Sequence, residues 1–205
     1  MAYLKGMKFA VFASGYGSNL QAIIDAVKGG EIKAELALVF SNSRKAHALE
    51  RAHKAGIKTL FLDPKHYATP QSFERALVIH LKEEGIDFIV LAGYMRLLTP
   101  FLIKTYPQKI FNIHPSLLPS FKGIDGIKDA FTYGVKVTGV TVHFADEKID
   151  HGPIILQESV KITEKDTLKS LEEKIHALEH KLYPKAIGLF AEGRLKLKGR
   201  KVEIA

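Results

Sequence analysis

The chain has 205 residues, 46% of them hydrophobic and 25% charged, with a formal charge of +8 and no cysteine. This is the composition of a globular domain long enough for one well-buried core, and the missing cysteines exclude disulfides, thiolate metal sites and a cysteine nucleophile. No run approaches the roughly 18 apolar residues of a membrane span, and the start, Met1 to Val11, lacks the apolar core of a secretory signal, so the expectation is one cytoplasmic domain over residues 1–205 without a membrane partner.

Apolar runs and helical patterns alternate from the start. Lys8 to Ala13 reads as a buried strand and Ser18 to Val27 as a helix ending at Gly29-Gly30. Ala34 to Ser41 is the next strand, Lys45 to Ala55 a helix stopped at Gly56, and Lys58 to Leu62 a short strand. A helix from Gln71 to Glu84 closes at Gly85, and Phe88 to Ala92 is a run apolar on both faces. Strands of that kind between helices indicate a parallel sheet covered on both sides. Further on, Ile110 to His114, Val137 to Ala145 and Ile154 to Ile162 read as strands, with a helix from Ile127 to Tyr133. A long helix from Thr167 to about Ala191 places Leu168, Leu171, Ile175, Leu178 and Leu182 on one stripe. The expected fold class is therefore α/β: a single-domain, doubly wound, mostly parallel, Rossmann-like sheet whose ligands sit beyond the carboxyl ends of its strands.

The net positive charge does not indicate a nucleic-acid partner, because lysines are spread along the chain rather than gathered on one element. The one dense basic run, Arg194 to Lys201, alternates with apolar residues as an edge strand with a charged outer face would. A positive field of this kind suits small phosphorylated substrates.

Two segments carry chemistry. The first strand runs through Ala13-Ser-Gly-Tyr-Gly-Ser-Asn19 directly into a helix. Glycines and free amide groups at a helix amino terminus favour a phosphate, while capping by Ser18 or Asn19 is the plainer alternative. The dinucleotide fingerprint would need glycine where Leu20 stands, and no Walker lysine follows, so a monophosphate ester fits best. The second segment is Phe111-Asn-Ile-His-Pro-Ser-Leu-Leu-Pro119. Asn112 and His114, two apart on a strand, leave the same face, and an amide beside an imidazole can hold a carbonyl oxygen and move a proton next to it. Asp150, in the turn Ile149-Asp-His-Gly-Pro153, reads either as a turn former or as a carboxylate folded over His114.

Ser14-Gly-Tyr-Gly-Ser-Asn19, Ala92-Gly-Tyr-Met-Arg-Leu-Leu-Thr-Pro100, Asn112-Ile-His-Pro-Ser-Leu-Leu-Pro119 and Asp150-His-Gly-Pro153 together resemble the phosphoribosylglycinamide formyltransferases, folate-dependent enzymes of purine biosynthesis. The resemblance implies formyl transfer from 10-formyltetrahydrofolate, a co-substrate, to the amine of 5-phosphoribosylglycinamide, with no metal, no nucleic acid and a monomer or homodimer. It makes Asn112, His114 and Asp150 catalytic. It assigns Gly17, Ser18, Asn19 and Glu179 to the phosphorylated amine, and Met95, Arg96, Leu97, Leu98 and Asn112 to folate. The loop from Asp146 to Asp150 would close on the pterin. Residues of about 7–106 would form the nucleotide half and about 107–205 the catalytic and folate half. Where related enzymes carry a folate-contacting arginine, Thr69-Pro-Gln71 stands, which leaves Lys65 or His66 for the folate tail. Lys122 replaces a common proline and His151 occupies a variable position, neither expected to touch the chemistry. The alternatives are a formyltransferase acting on methionyl-tRNA or a sugar nucleotide, a formyl-folate hydrolase, or a non-catalytic phosphate- or RNA-binding module. The first and third of these enzymes would carry an added domain for which the chain is expected to have no room.

Overall fold

The structure, a computed structural model, describes residues 6–205. Residues 1–5, which the sequence reading included in the 1–205 domain and in the Met1–Val11 segment, lie outside the described residues.

Five apolar runs form parallel strands: β1 (Lys8–Phe12), β2 (Glu35–Ser41), β3 (Lys58–Phe61), β4 (Phe88–Leu91) and β5 (Ile110–His114). Two longer strands, β6 (Val137–Phe144) and β7 (Ile154–Lys161), add antiparallel to the β5 side. The seven-stranded order is β3-β2-β1-β4-β5-β6-β7, so the direction of strand addition reverses between β1 and β4. At such a switch point the carboxyl ends of neighbouring strands diverge and leave a crevice.

Residues of β1 alternate between two cores, as the pleat requires. Phe9 and Val11 face a core built with α1 (Ser18–Lys28), α2 (His47–Lys54) and α6 (Leu168–Ala191). Ala10 and Phe12 face the opposite core, built with α3 (Pro70–Glu83) and α4 (Pro100–Thr105). α5 (Gly126–Tyr133) follows β5 and packs on α6. Of the expected α6 stripe, Leu171, Ile175 and Leu182 are buried, Leu178 packs at the margin and Leu168 is half-buried. Both α3 and α6 start on threonine capping boxes, Thr69 with Ser72 and Thr167 with Ser170, which satisfy amide groups that the first turn leaves open. Among the described residues no helix is long and apolar enough to cross a membrane.

The structure adds one element and changes one expectation. The Thr99-Pro100 step opens the six-residue helix α4, too short for periodicity to reveal. The basic run is not an edge of the main sheet. It forms a separate two-stranded hairpin, β8 (Leu195–Lys198) with β9 (Lys201–Ile204), because Gly199-Arg200 turns the chain back on itself.

Candidate active site

The candidate residues gather at the carboxyl ends of β1, β4 and β5, around the switch point. Gly17 is the N-cap of α1 at φ 77, and no side chain caps the helix. Capping by Ser18 or Asn19 is thereby overturned. A Cβ on Gly17 would lie 2.9 Å from the Ala48 Cβ, so close contact with α2 and left-handed backbone both demand glycine there. The loop is braced across the crevice. Ser14 Oγ donates to Asn42 Oδ1 at 2.6 Å and accepts the Met95 N–H at 2.9 Å, which joins the loop after β1 to the Met95–Leu98 segment.

Asn19 Nδ2 donates to Glu179 Oε2 at 3.2 Å, while Asn19 Oδ1 is buried with no partner among the described residues. Glu179 lies one turn before Tyr183 on α6. The Tyr183 hydroxyl is fully buried, 2.8 Å from the Leu91 carbonyl and 3.1 Å from that of Phe111, which ties α6 to β4 and β5. His176 Nδ1 stands 2.9 Å from the same Glu179 oxygen. The hydrogen bond to Glu179 is the main reason its imidazole is held above the ordinary histidine range, against burial that lowers it.

Asn112, His114 and Asp150 do come together. Asp150 Oδ1 accepts from Asn112 Nδ2 at 3.4 Å and its Oδ2 lies 3.5 Å from His114 Nδ1. The Gly123 N–H donates to the same Oδ2 at 2.9 Å. Burial pushes the Asp150 carboxyl up, but the His143 ring, the Gly123 N–H and the charge of His114 outweigh it and hold the group below the ordinary carboxylate range. The turn that delivers it is tight: a Cβ on Gly152 would meet the Phe144 carbonyl oxygen at 1.7 Å, so only glycine lets this chain crossing close. His114 Nε2 sits 2.7 Å from the Phe121 carbonyl and therefore carries its proton.

Sequence reasoning missed His143. It pairs directly across from Asn112 in the antiparallel β5–β6 register, where facing side chains touch. Its Nδ1 donates to the Phe144 carbonyl at 2.9 Å, and Nε2 lies 3.2 Å from Asn112 Nδ2 and 3.8 Å from Asp150 Oδ1. Only strand pairing could have singled it out from the alternating run that contains it.

On the proposed folate side, Met95 and Leu97 are 71% and 72% exposed, so neither is a core residue. Leu98 is half-buried against the α3–α4 core. The Arg96 guanidinium stacks 5.4 Å over the Phe73 ring, and its charge faces Glu74, which is buried and bonded to Thr99. Arg96 also borders a depression of about 280 Å³ with Lys65, Tyr67, Thr69 and Phe73. Lys65 thus reaches this region, and His66 is not among its walls. A second depression, about 440 Å³, lies on the outer side of α2 and β3 and holds none of these residues. Among the described residues no three metal-ligating side chains group to hold an ion.

An amide, an imidazole and an ionised carboxylate at the end of a central strand, next to an open helix amino terminus, define an α/β group-transfer enzyme acting on a phosphorylated substrate. Residues 7–187 match the family model described as formyl transferase, and the chain belongs to that family. It is 48% identical over 180 residues to the phosphoribosylglycinamide formyltransferase of Bacillus subtilis, covering 88% of this chain and 92% of that one. With the Escherichia coli protein of the same name it shares 40% identity over 191 residues, 93% of this chain and 90% of the other. The crystal structure of glycinamide ribonucleotide transformylase 1 from Symbiobacterium toebii superposes with a TM-score of 0.95 at 46% identity, covering 98% and 94% of the two chains.

Proposed function

We infer that this chain transfers the formyl group of 10-formyltetrahydrofolate to the amine of 5-phosphoribosylglycinamide, yielding the formylated nucleotide and tetrahydrofolate. The observation that carries this reading is the grouping of Asn112, His114 and Asp150 beside an uncapped helix amino terminus. The similarity to relatives named for that reaction supports it.

The amine attacks the formyl carbon, forming the new C–N bond as the carbonyl electrons move to oxygen. The Asn112 amide and the His114 imidazolium stabilise that oxyanion. The bond from the formyl carbon to folate N10 then breaks, N10 receives a proton delivered by His114, and the attacking nitrogen releases one, so the exchange is balanced. Because His114 Nε2 donates to the Phe121 carbonyl, Nδ1 attracts the Asp150 carboxylate only when it too is protonated. Asp150 therefore sets its negative charge beside the ring that moves the reaction's proton. The 3.2–3.5 Å contacts among Asn112, His143, Asp150 and His114 are long, as catalytic hydrogen bonds commonly are before substrate arrives.

In the same reading, the amide groups of Gly17, Ser18 and Asn19 hold the phosphate, Glu179 and the unpartnered Asn19 oxygen contact the rest of the nucleotide, and Met95 to Leu98 line the folate pocket. Mixing the protein with glycinamide ribonucleotide and 10-formyltetrahydrofolate while following folate absorbance tests it. Deformylation that depends on the amine is expected. Deformylation without it, or none, overturns the reading.

A further inference from the structure

The basic carboxyl-terminal hairpin reaches the loop that carries Asp150. Leu195 on β8 and Val202 on β9 pack against the main core, which anchors the hairpin, and the turn opens on Gly199 at φ 59. Arg200 at its tip donates through Nη2 to the His151 carbonyl oxygen at 2.6 Å. Its Nη1 rests 3.4 and 3.3 Å from the two His151 ring nitrogens. His151 Nδ1 in turn lies 2.6 Å from Asp146 Oδ2, and Asp146 Oδ1 accepts the Lys148 N–H at 3.0 Å. A continuous chain of contacts thus runs from the hairpin tip to both ends of the 146–151 loop.

Within that loop Asp150 is held at φ 46, a left-handed conformation that aspartate adopts more readily than most residues with a side chain, and contacts on two sides fix it there. On the inner side those contacts are the Asp150 carboxylate with Gly123 and His114. On the outer side the fixed point is the carbonyl of the very next residue, His151, and Arg200 holds it. His151, taken from sequence as a position away from the chemistry, is the link between the two sides.

We propose that Arg200 is a positioning residue for formyl transfer: through the His151 carbonyl and ring it locks the 146–151 loop in the conformation that presents Asp150 to His114. The proposal rests on the formyl-transfer reading. Arg200 touches no reacting group, so its loss shifts the loop and leaves the nucleotide site, built on α1 and α6, in place.

Steady-state kinetics on the whole chain test this. Arg200→Ala lowers kcat roughly tenfold, the scale of a modest misplacement of a catalytic group, with the KM for glycinamide ribonucleotide unchanged within about twofold. Arg200→Lys recovers part of the loss, since a lysine replaces the planar fork with a single point donor. The double variant Arg200→Ala/His151→Ala loses less than the two single losses combined, because the ring contacts are shared while the bond to the residue 151 carbonyl survives His151→Ala. Wild-type kcat in Arg200→Ala, or additive losses in the double variant, overturns the proposal. Amide hydrogen exchange across residues 146–152 provides a readout independent of turnover: faster exchange there in Arg200→Ala is expected, and unchanged exchange refutes the lock. An inactive wild-type protein would instead sink the formyl-transfer reading.

Discussion

Asp150 Oδ2 stands 3.5 Å from His114 Nδ1 while the opposite nitrogen of that ring is bound to the Phe121 carbonyl at 2.7 Å, so the imidazole is anchored at Nε2 and holds Nδ1 beside the carboxylate through a longer contact. This couples the charge of the carboxylate to the proton of the ring. Asp150→Asn keeps the shape and removes the charge, and His114→Ala removes the proton carrier. Each is expected to lower kcat at least ~10²-fold, the scale of lost acid–base catalysis. Near-normal turnover in both variants would remove these residues from the mechanism.

The contacts that lower the Asp150 carboxyl, from the His143 ring and the Gly123 N–H ahead of the His114 charge, make stability depend on pH. Because the folded-state carboxyl of Asp150 lies below its ordinary value, its contribution is fully present above about pH 4, the unfolded carboxylate value, and is lost as pH falls through the lowered folded value. Denaturant unfolding of wild type and Asp150→Asn at pH 7 and pH 3 should show the gap between them narrowing at the lower pH. A gap that stays constant or widens contradicts the assignment.

Gly17 offers a test of the nucleotide site alone. Alanine there meets α2 at 2.9 Å in a left-handed backbone, whereas Gly15 has open space around its Cβ position. Strain of about 1–2 kcal/mol would displace the amide groups proposed to bind phosphate. Gly17→Ala should raise the KM for the nucleotide about tenfold and leave that for folate unchanged, with Gly15→Ala close to wild type. Equal effects at both positions would mean that backbone conformation at Gly17 does not shape the site.

Much of this arrangement was legible in the chain because it is local. The order of strands and helices follows from alternating apolar periods, and Asn112 and His114 share a face simply because a strand repeats every two residues. Asp150 reaches them from 36 and 38 positions away, and no local pattern encodes that approach. His143 depends on the β5–β6 register, and Arg200 on where a hairpin read as a sheet edge packs. What stayed hidden was therefore long-range pairing, while residue chemistry and local geometry were visible.

His143 supports Asn112 from across the strand pair, 3.2 Å from its amide. His143→Phe fills similar space and removes that acceptor, leaving the amide held only by its longer contact to Asp150 among the described residues. A fall in kcat of roughly tenfold with both KM values near wild type is expected, as for lost support behind a reacting group. Steady-state rates at saturating substrates measure it, and an unchanged kcat would reduce His143 to a packing residue.

His176 and Glu179 give a pH dependence of the opposite sign. The imidazole is raised above its ordinary value chiefly by its hydrogen bond to Glu179, so the pair stabilises the fold fully below about pH 6.5 and the gain disappears as pH rises through the higher folded value. His176 is half exposed, which limits the effect to about 0.5 kcal/mol. Comparing wild type with His176→Asn by denaturant unfolding at pH 5.5 and pH 9 should show the wild-type advantage at the lower pH alone. Because the carboxylate in this pair is the one proposed to meet the nucleotide, His176→Asn should also raise the nucleotide KM while kcat stays near wild type, since without the imidazole only Asn19 still holds Glu179 in place. An advantage at pH 9, or a loss confined to kcat, would separate His176 from the substrate site.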